Sequence, residues 1–303
     1  MNWKHPNTIS FFILICILLF ALSIAYLLYQ EQPEGTVFQG ENSDYTFSYD
    51  LGKPYQQYYL PNDLREISGL AWNTEDQLLS IQDEEGVIFV YQTGKQEVIQ
   101  KVKFGKNLDY EGIARSRNKI YVLERDGDIF EIDSLFGESV ESKKYETPLS
   151  YQQDAEGLAY DHVDDCLLVA LKEAGEESNE TGEGLKRMIY SFDLNDNRMS
   201  ETPLYYIDQL ELGRLIYQKE KSYEFKPSGI AVHPENGYIY VISSVGRLLV
   251  VMNRTGELLY AERLSPSQLP QPEGITFDEE GRLYLSSEGR GGQGRLLVFN
   301  PKN

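Results

Sequence analysis

Beyond residue 44 the apolar positions fall in short runs rich in Val, Ile, Leu, Tyr and Phe, each bounded by a polar turn. LLSIQ, KIYVLE, CLLVAL, YIYVIS and RLYLSSE form one set, and VIFVY, IFEID, MIYSFD, LLVVM and LLVFN form a second set one turn further on. Branched and aromatic side chains suit a pleated, half-buried surface, so these runs are predicted to be β-strands. The amino-terminal pattern is different. Ile9 to Tyr29 reads ISFFILICILLFALSIAYLLY, without a single charge. At ~1.5 Å per residue such a helix spans ~30 Å, the thickness of a bilayer core. The run exceeds the ~7–15 apolar residues of a cleaved signal peptide and ends in large residues, so an uncleaved transmembrane helix is expected. Lys4 precedes it and Glu31 and Glu34 follow it, which places residues 1–8 in the cytoplasm and the rest outside, periplasmic or extracellular. Residues 30–44 read as a linker and 45–303 as one domain.

Within that domain a motif recurs: a polar residue, Gly, Ile or Leu, then Ala or Thr. It appears as Ser68-Gly69-Leu70-Ala71, Glu111-Gly112-Ile113-Ala114, Glu156-Gly157-Leu158-Ala159, Ser228-Gly229-Ile230-Ala231 and Glu273-Gly274-Ile275-Thr276. The glycines lie at intervals of 43, 45, 72 and 45 residues. Regular spacing of short strands is the mark of a radial array of four-stranded units, an all-β propeller. The 72-residue interval is too short for two units of ~40–45 residues each. Its excess falls to two insertions, the acidic loop Glu173 to Lys186 and the helix-like Asp208 to Phe225. Five blades follow. The last blade runs out of chain at Asn303 before an outer strand can form, and Tyr55 to Leu60, upstream of the first motif, is expected to pair there and close the ring.

With 48 acidic against 28 basic residues, the 303-residue chain carries a net charge of −20. A surface this acidic repels a phosphate backbone, which excludes nucleic acid as a partner. Its 22 Tyr and 13 Phe exclude a disordered acidic chain. Cys16 and Cys166 lie in separate regions, so no disulfide between them is expected.

Some of the acid is in register. The residues before each glycine open the innermost strands and must converge on one face of the ring. That face gathers Glu111, Glu156 and Glu273, with Asp109 and Asp154 two positions earlier in an Asp-x-Glu-Gly pattern. Ends of second strands add Asp83, Glu84, Glu124 and Glu288. Crowded carboxylates raise one another's pKa or require a cation. An oxygen-only donor set suits Ca²⁺, which takes six to eight oxygens at ~2.3–2.6 Å, whereas Zn²⁺ would want His and Cys. The candidate metal ligands are therefore Asp83, Asp109, Glu111, Asp154, Glu156 and Glu273.

The succession EISGLAW, Gln82-Asp83-Glu84, LDYEGIA, DAEGLAYD, KPSGIAVHP and PEGITFDEEGRLYLSSE resembles the SdiA-regulated family of bacterial envelope proteins over Tyr55 to Pro301. That resemblance implies a five-bladed propeller, distantly similar to NHL-repeat proteins, behind an amino-terminal membrane segment. It also implies a calcium site in the propeller, and no established activity.

Two functions compete. One is a calcium-binding module of the cell membrane that recognises a small molecule, a glycan or an envelope protein. The other is a calcium-dependent hydrolase of phosphoesters, esters or lactones, with the ion activating water. A lactonase would want a histidine beside the metal, yet His162 and His233 both follow innermost strands and belong on the opposite face. A phosphoesterase would want several cations, and Lys172, Arg125 and Arg290 are the few near the acidic rim. Binding is the preferred expectation.

Overall fold

The computed structural model describes residues 11, 13–20, 37–40, 44–116, 118–174 and 184–302. After two short strands, β1 (Val37–Gln39) and β2 (Gln56–Tyr59), the chain forms five antiparallel units in succession. Blade 1 holds β3 (Ile67–Thr74), β4 (Gln77–Gln82), β5 (Val87–Gln92) and β6 (Glu97–Lys103). Blade 2 holds β7 (Tyr110–Ser116), β8 (Lys119–Glu124), β9 (Ile129–Ile132) and β10 (Lys143–Tyr145). Blade 3 begins with β11 (Ala155–Asp161), β12 (Cys166–Leu171) and β13 (Lys186–Asp193). Its fourth position is divided between β14 (Arg198–Met199) and β15 (Tyr205–Asp208), which pair with opposite ends of β13. Blade 4 holds β16 (Lys226–Val232), β17 (Ile239–Val245), β18 (Leu248–Met252) and β19 (Leu258–Arg263). Blade 5 holds β20 (Pro272–Phe277), β21 (Leu283–Ser287) and β22 (Arg295–Phe299). The fold is an all-β, five-bladed propeller.

The central strands are buried on both faces because each blade is packed between two neighbours. All six residues of β12 are buried, while the outer β6 alternates exposed and covered positions. This is why the second- and third-strand runs are continuously apolar in the sequence. At the axis the inner strands approach most closely, and the repeated glycine is what lets them. A Cβ on Gly112 would stand 2.7 Å from the Cβ of Leu158, and one on Gly274 would stand 2.7 Å from the Cβ of Leu70. Gly69 faces Ile113, Gly157 faces Ile230 and Gly229 faces Ile275 in the same way. Each motif glycine thus receives the aliphatic residue of the next blade's motif, around the complete ring. The sequence repeat is a packing repeat.

Gln56–Tyr59 pairs antiparallel with Arg295–Val298 in blade 5. The long interval in blade 3 contains α1 (Gln209–Tyr217), whose first turn is capped by the Asp208 carboxylate accepting from the amides of Leu210 and Glu211. Of the acidic insertion 173–186, residues 175–183 lie outside the described residues.

The expected linker holds more structure than its composition implied. Val37–Gln39 pairs with β19 as a fifth strand of blade 4 and buries Phe38. Three residues are too few to show a period. Tyr45, Phe47, Tyr49 and Leu51 then form an extended strap against blades 4 and 5. Phe47 stacks on Tyr260 with centroids 4.4 Å apart, and the Tyr49 hydroxyl donates to the Gly281 carbonyl at 2.6 Å. Lys302 closes on the same strap, its amide donating to the Ser48 carbonyl at 2.6 Å.

Phe11 and residues 13–20 are helical, but most of the expected span 9–29 and most of the linker lie outside the described residues. Among the described residues no helix is long and apolar enough to cross a membrane.

Candidate functional site

The residue before each motif glycine is set apart by the backbone. In all five inner strands the ladder slips between the residue two before the glycine and the glycine itself, at Ile67/Gly69, Tyr110/Gly112, Ala155/Gly157, Pro227/Gly229 and Pro272/Gly274. The residue in between is a β-bulge, unpaired and re-aimed. These five bulged residues are Ser68, Glu111, Glu156, Ser228 and Glu273. The serines turn sideways: Ser68 donates to the Tyr110 carbonyl at 2.7 Å, and Ser228 donates to the Pro272 carbonyl at 2.6 Å, each tying its blade to the next. Glutamate is longer and extends into the axis. Glu111, Glu156 and Glu273 accordingly line one small space of about 10 Å³ at the channel mouth. That is room for a single water-sized occupant. Its floor is a ring of Leu70, Ile113, Leu158, Ile230 and Ile275, one from each blade.

Charge in this space is poorly compensated. Lys172, at the end of the second strand of blade 3, donates to Glu156 Oε1 and lies 3.6 Å from Asp154 Oδ2. Burial alone would lower the Lys172 pKa, but Glu156 and Asp154 hold it above its ordinary value. Glu111 makes no hydrogen bond or ion pair with a described residue. Burial, then the charges of Glu156 and Glu273, push its pKa up to about 9. Burial and Glu156 also hold Glu273 well above the carboxylate range, against a hydrogen bond from Gln271. Glu156 is raised by burial in spite of Lys172. Asp83 is raised as well, first by burial and then by Glu66, Glu84 and Glu288, and its Oδ1 is buried without a hydrogen-bond partner.

The six residues singled out in the sequence therefore divide. Glu111, Glu156 and Glu273 converge on the axis, and the charge of Asp83 reaches Glu111. Asp154 and Asp109 serve a different end. Asp154 is buried at a left-handed φ of 54° and accepts from Arg125 Nε at 2.5 Å, while Asp109 stands 3.7 Å from the same guanidinium. The Asp of Asp-x-Glu-Gly anchors Arg125 between blades 2 and 3. Spacing alone put both acids of the pattern on one face; it did not show that a cation of the chain meets the first of them.

Glu124 also departs from the ring. With Asp126 and Asp128 it offers carboxylate oxygens within 4.8 Å of one another, and no second set of three among the described residues, the ring glutamates included, meets that limit. Lys144 already serves this set, its ammonium 3.1 Å from Glu124 Oε2 and 2.7 Å from Asp128 Oδ2. Sequence reasoning missed this cluster because Lys144 sits on β10, a strand too short to announce itself. His233 lies at the other end of its inner strand, buried against Tyr240 and hydrogen-bonded with the Tyr49 hydroxyl at 3.0 Å, and burial lowers its pKa. His162 is exposed.

The SdiA-regulated family model matches residues 56–290, more than three quarters of the chain. The protein belongs to the SdiA-regulated family. No curated protein matches its sequence. Among solved structures, this SdiA-regulated protein is similar to the PQQ-bound aldose sugar dehydrogenase of Streptomyces coelicolor, at 14% identity and a TM-score of 0.55, over 82% of this chain and 97% of that one. It is similar to the glutaminyl cyclase of Myxococcus xanthus at 12% identity and a TM-score of 0.53, over 82% and 96%. A Bacteroides caccae protein of unknown function is similar at 13% identity and a TM-score of 0.42; 70% of this chain is covered, and it spans 65% of that protein. At these identities the likeness is one of fold.

Proposed function

We propose that this SdiA-regulated protein is a calcium-binding propeller, held on the outer side of a membrane by its apolar amino terminus, that serves as a binding module of the cell envelope for a small molecule, glycan or protein. The observation that carries the calcium reading is the excess of acid over base at the channel mouth. Three bulged glutamates surround a space of one-ion size with Lys172 as their cation. A buried carboxylate oxygen without a partner, Asp83 Oδ1, belongs to the same electrostatic group. The donors are all oxygens, and carboxylates crowded together at a partly covered mouth are stabilised by a hard cation or by protons. The donor types suit calcium, and because no three oxygens of the ring lie within 4.8 Å of one another, the carboxylates would close on the ion as it binds: Glu111 and Glu273 would be principal ligands, with Asp83 and Glu156 beside them and Asp154 and Asp109 holding the surrounding cations in place. Water completes such a shell at an open mouth. The ion would supply neutralisation, joining the mouths of the four blades that carry these carboxylates, blades 1, 2, 3 and 5.

Thermal melting of the full chain in chelator and in millimolar calcium tests this reading. Saturation at ~1,000 Kd is expected to add about 4 kcal/mol of stability. Glu111→Gln and Glu273→Gln should abolish that gain. An unchanged melting temperature on adding calcium overturns the proposal.

A further inference from the structure

Below the aliphatic floor the channel opens again. On the face opposite the glutamates lies a cavity of about 130 Å³, bounded above by the same five aliphatic residues and at its rim by Trp72, Arg115, Tyr160, Val232 and Phe277, one from each inner strand. Two of its lining residues hold donor groups that the chain leaves wholly or partly unused. The Trp72 indole Nε1–H is buried and finds no acceptor, and a buried donor left in that state is rare enough to call for an explanation. The Arg115 guanidinium donates to the Asn73 carbonyl at 2.8 Å and forms no ion pair among the described residues, in a chain of net charge −20. Carboxylates of the same face are engaged elsewhere, Asp161 by Arg254 and Asp278 by Arg282. The walls above are apolar, and a cavity of about 150 Å³ lined by such side chains takes up a benzene-sized guest.

We propose that this cavity is a binding site for a small organic monocarboxylate with a compact aromatic or branched apolar body. The body fills the channel against Leu70, Ile113 and Phe277, and the carboxylate accepts from Arg115 and from the Trp72 indole. The two mouths of one channel would then select opposite charges, a cation at the glutamates and an anion here. The site is independent of the calcium reading, since a floor of aliphatic side chains separates it from the glutamates.

Equilibrium dialysis of the full-length protein in chelator, with benzoate, benzyl alcohol and benzylammonium as probes, tests this assignment. Saturable one-to-one binding of benzoate is expected, with a dissociation constant of about 1 mM or tighter. Benzyl alcohol and benzylammonium should bind at least about tenfold more weakly, and Arg115→Gln should weaken benzoate by about tenfold or more, the worth of a hydrogen bond to a charged group. Trp72→Phe keeps an apolar ring, removes only the donor side of the indole and should weaken benzoate about fivefold. The two variants and the charge series bear on the claim separately, so a folding defect in one leaves the others decisive. Absence of saturable benzoate binding overturns the proposal, as does equal binding of benzyl alcohol or unchanged affinity in both variants.

Discussion

Replacing Glu111 by Gln should make the cation-free protein more stable at alkaline pH and flatten its dependence on pH. The side chain is half-buried, has no hydrogen-bond or ion-pair partner among the described residues and is flanked by Glu156 and Glu273, and its pKa rises from 4.5 to about 9. Between those values the folded state keeps a proton that the unfolded chain has released. Folded molecules then bind more protons than unfolded ones, so stability falls as pH rises, by about 1.4 kcal/mol per unit for one proton. The stabilisation is complete below pH ~4.5 and is lost progressively on the way to pH ~9. From pH 5 to pH 7 the loss attributable to Glu111 is about 3 kcal/mol. The Gln amide keeps the shape, carries no charge and can donate to Glu156 or Glu273, so the variant should lose this slope while remaining folded. Urea unfolding of both proteins at pH 5, 6, 7 and 8 in chelator gives the difference directly. Parallel profiles for the two proteins would mean instead that Glu111 ionises in the folded state as it does in the unfolded chain, and that its surroundings do not hold the proton.

Other perturbations have expected outcomes of comparable size. Gly112→Ala places a Cβ 2.7 Å from Leu158 and 2.9 Å from its amide, so two inner strands must separate; a loss of about 1–3 kcal/mol in urea unfolding is expected. Lys172→Met leaves Glu156 and Asp154 buried without that cation and should cost about 3–5 kcal/mol in chelator, with part of the loss recovered in calcium, as read by melting temperature. Tyr49→Phe removes the hydroxyl that donates to Gly281 and meets His233, and should cost about 1–3 kcal/mol, measured by the same denaturation.

The ring was legible because the constraint that builds it acts on one residue type. Gly69, Gly112, Gly157, Gly229 and Gly274 each face a neighbouring aliphatic residue at the axis, so the geometric repeat is written as a glycine repeat. The strand runs were legible because blades cover both faces of the central strands. The bulge was not, since a slipped register leaves no mark on composition; yet it is the bulge that turns Glu111 and Glu273 inward while Ser68 and Ser228 bond sideways. The division of labour within Asp-x-Glu-Gly was hidden for a related reason. Arg125 lies fourteen residues from Glu111 and twenty-nine from Asp154, and only the folded ring brings it onto the aspartates. The strap at Tyr45, Phe47 and Tyr49 alternates visibly in the sequence, but its partners Tyr240 and Tyr260 are about two hundred residues away.

Anomalous diffraction from crystals grown in calcium, or with a lanthanide in its place, locates the ion itself. One strong peak is expected at the channel mouth, with oxygens of Glu111, Glu273 and their neighbours at ~2.3–2.6 Å. A mouth without a peak, or a peak held instead by Glu124, Asp126 and Asp128, would contradict the calcium reading.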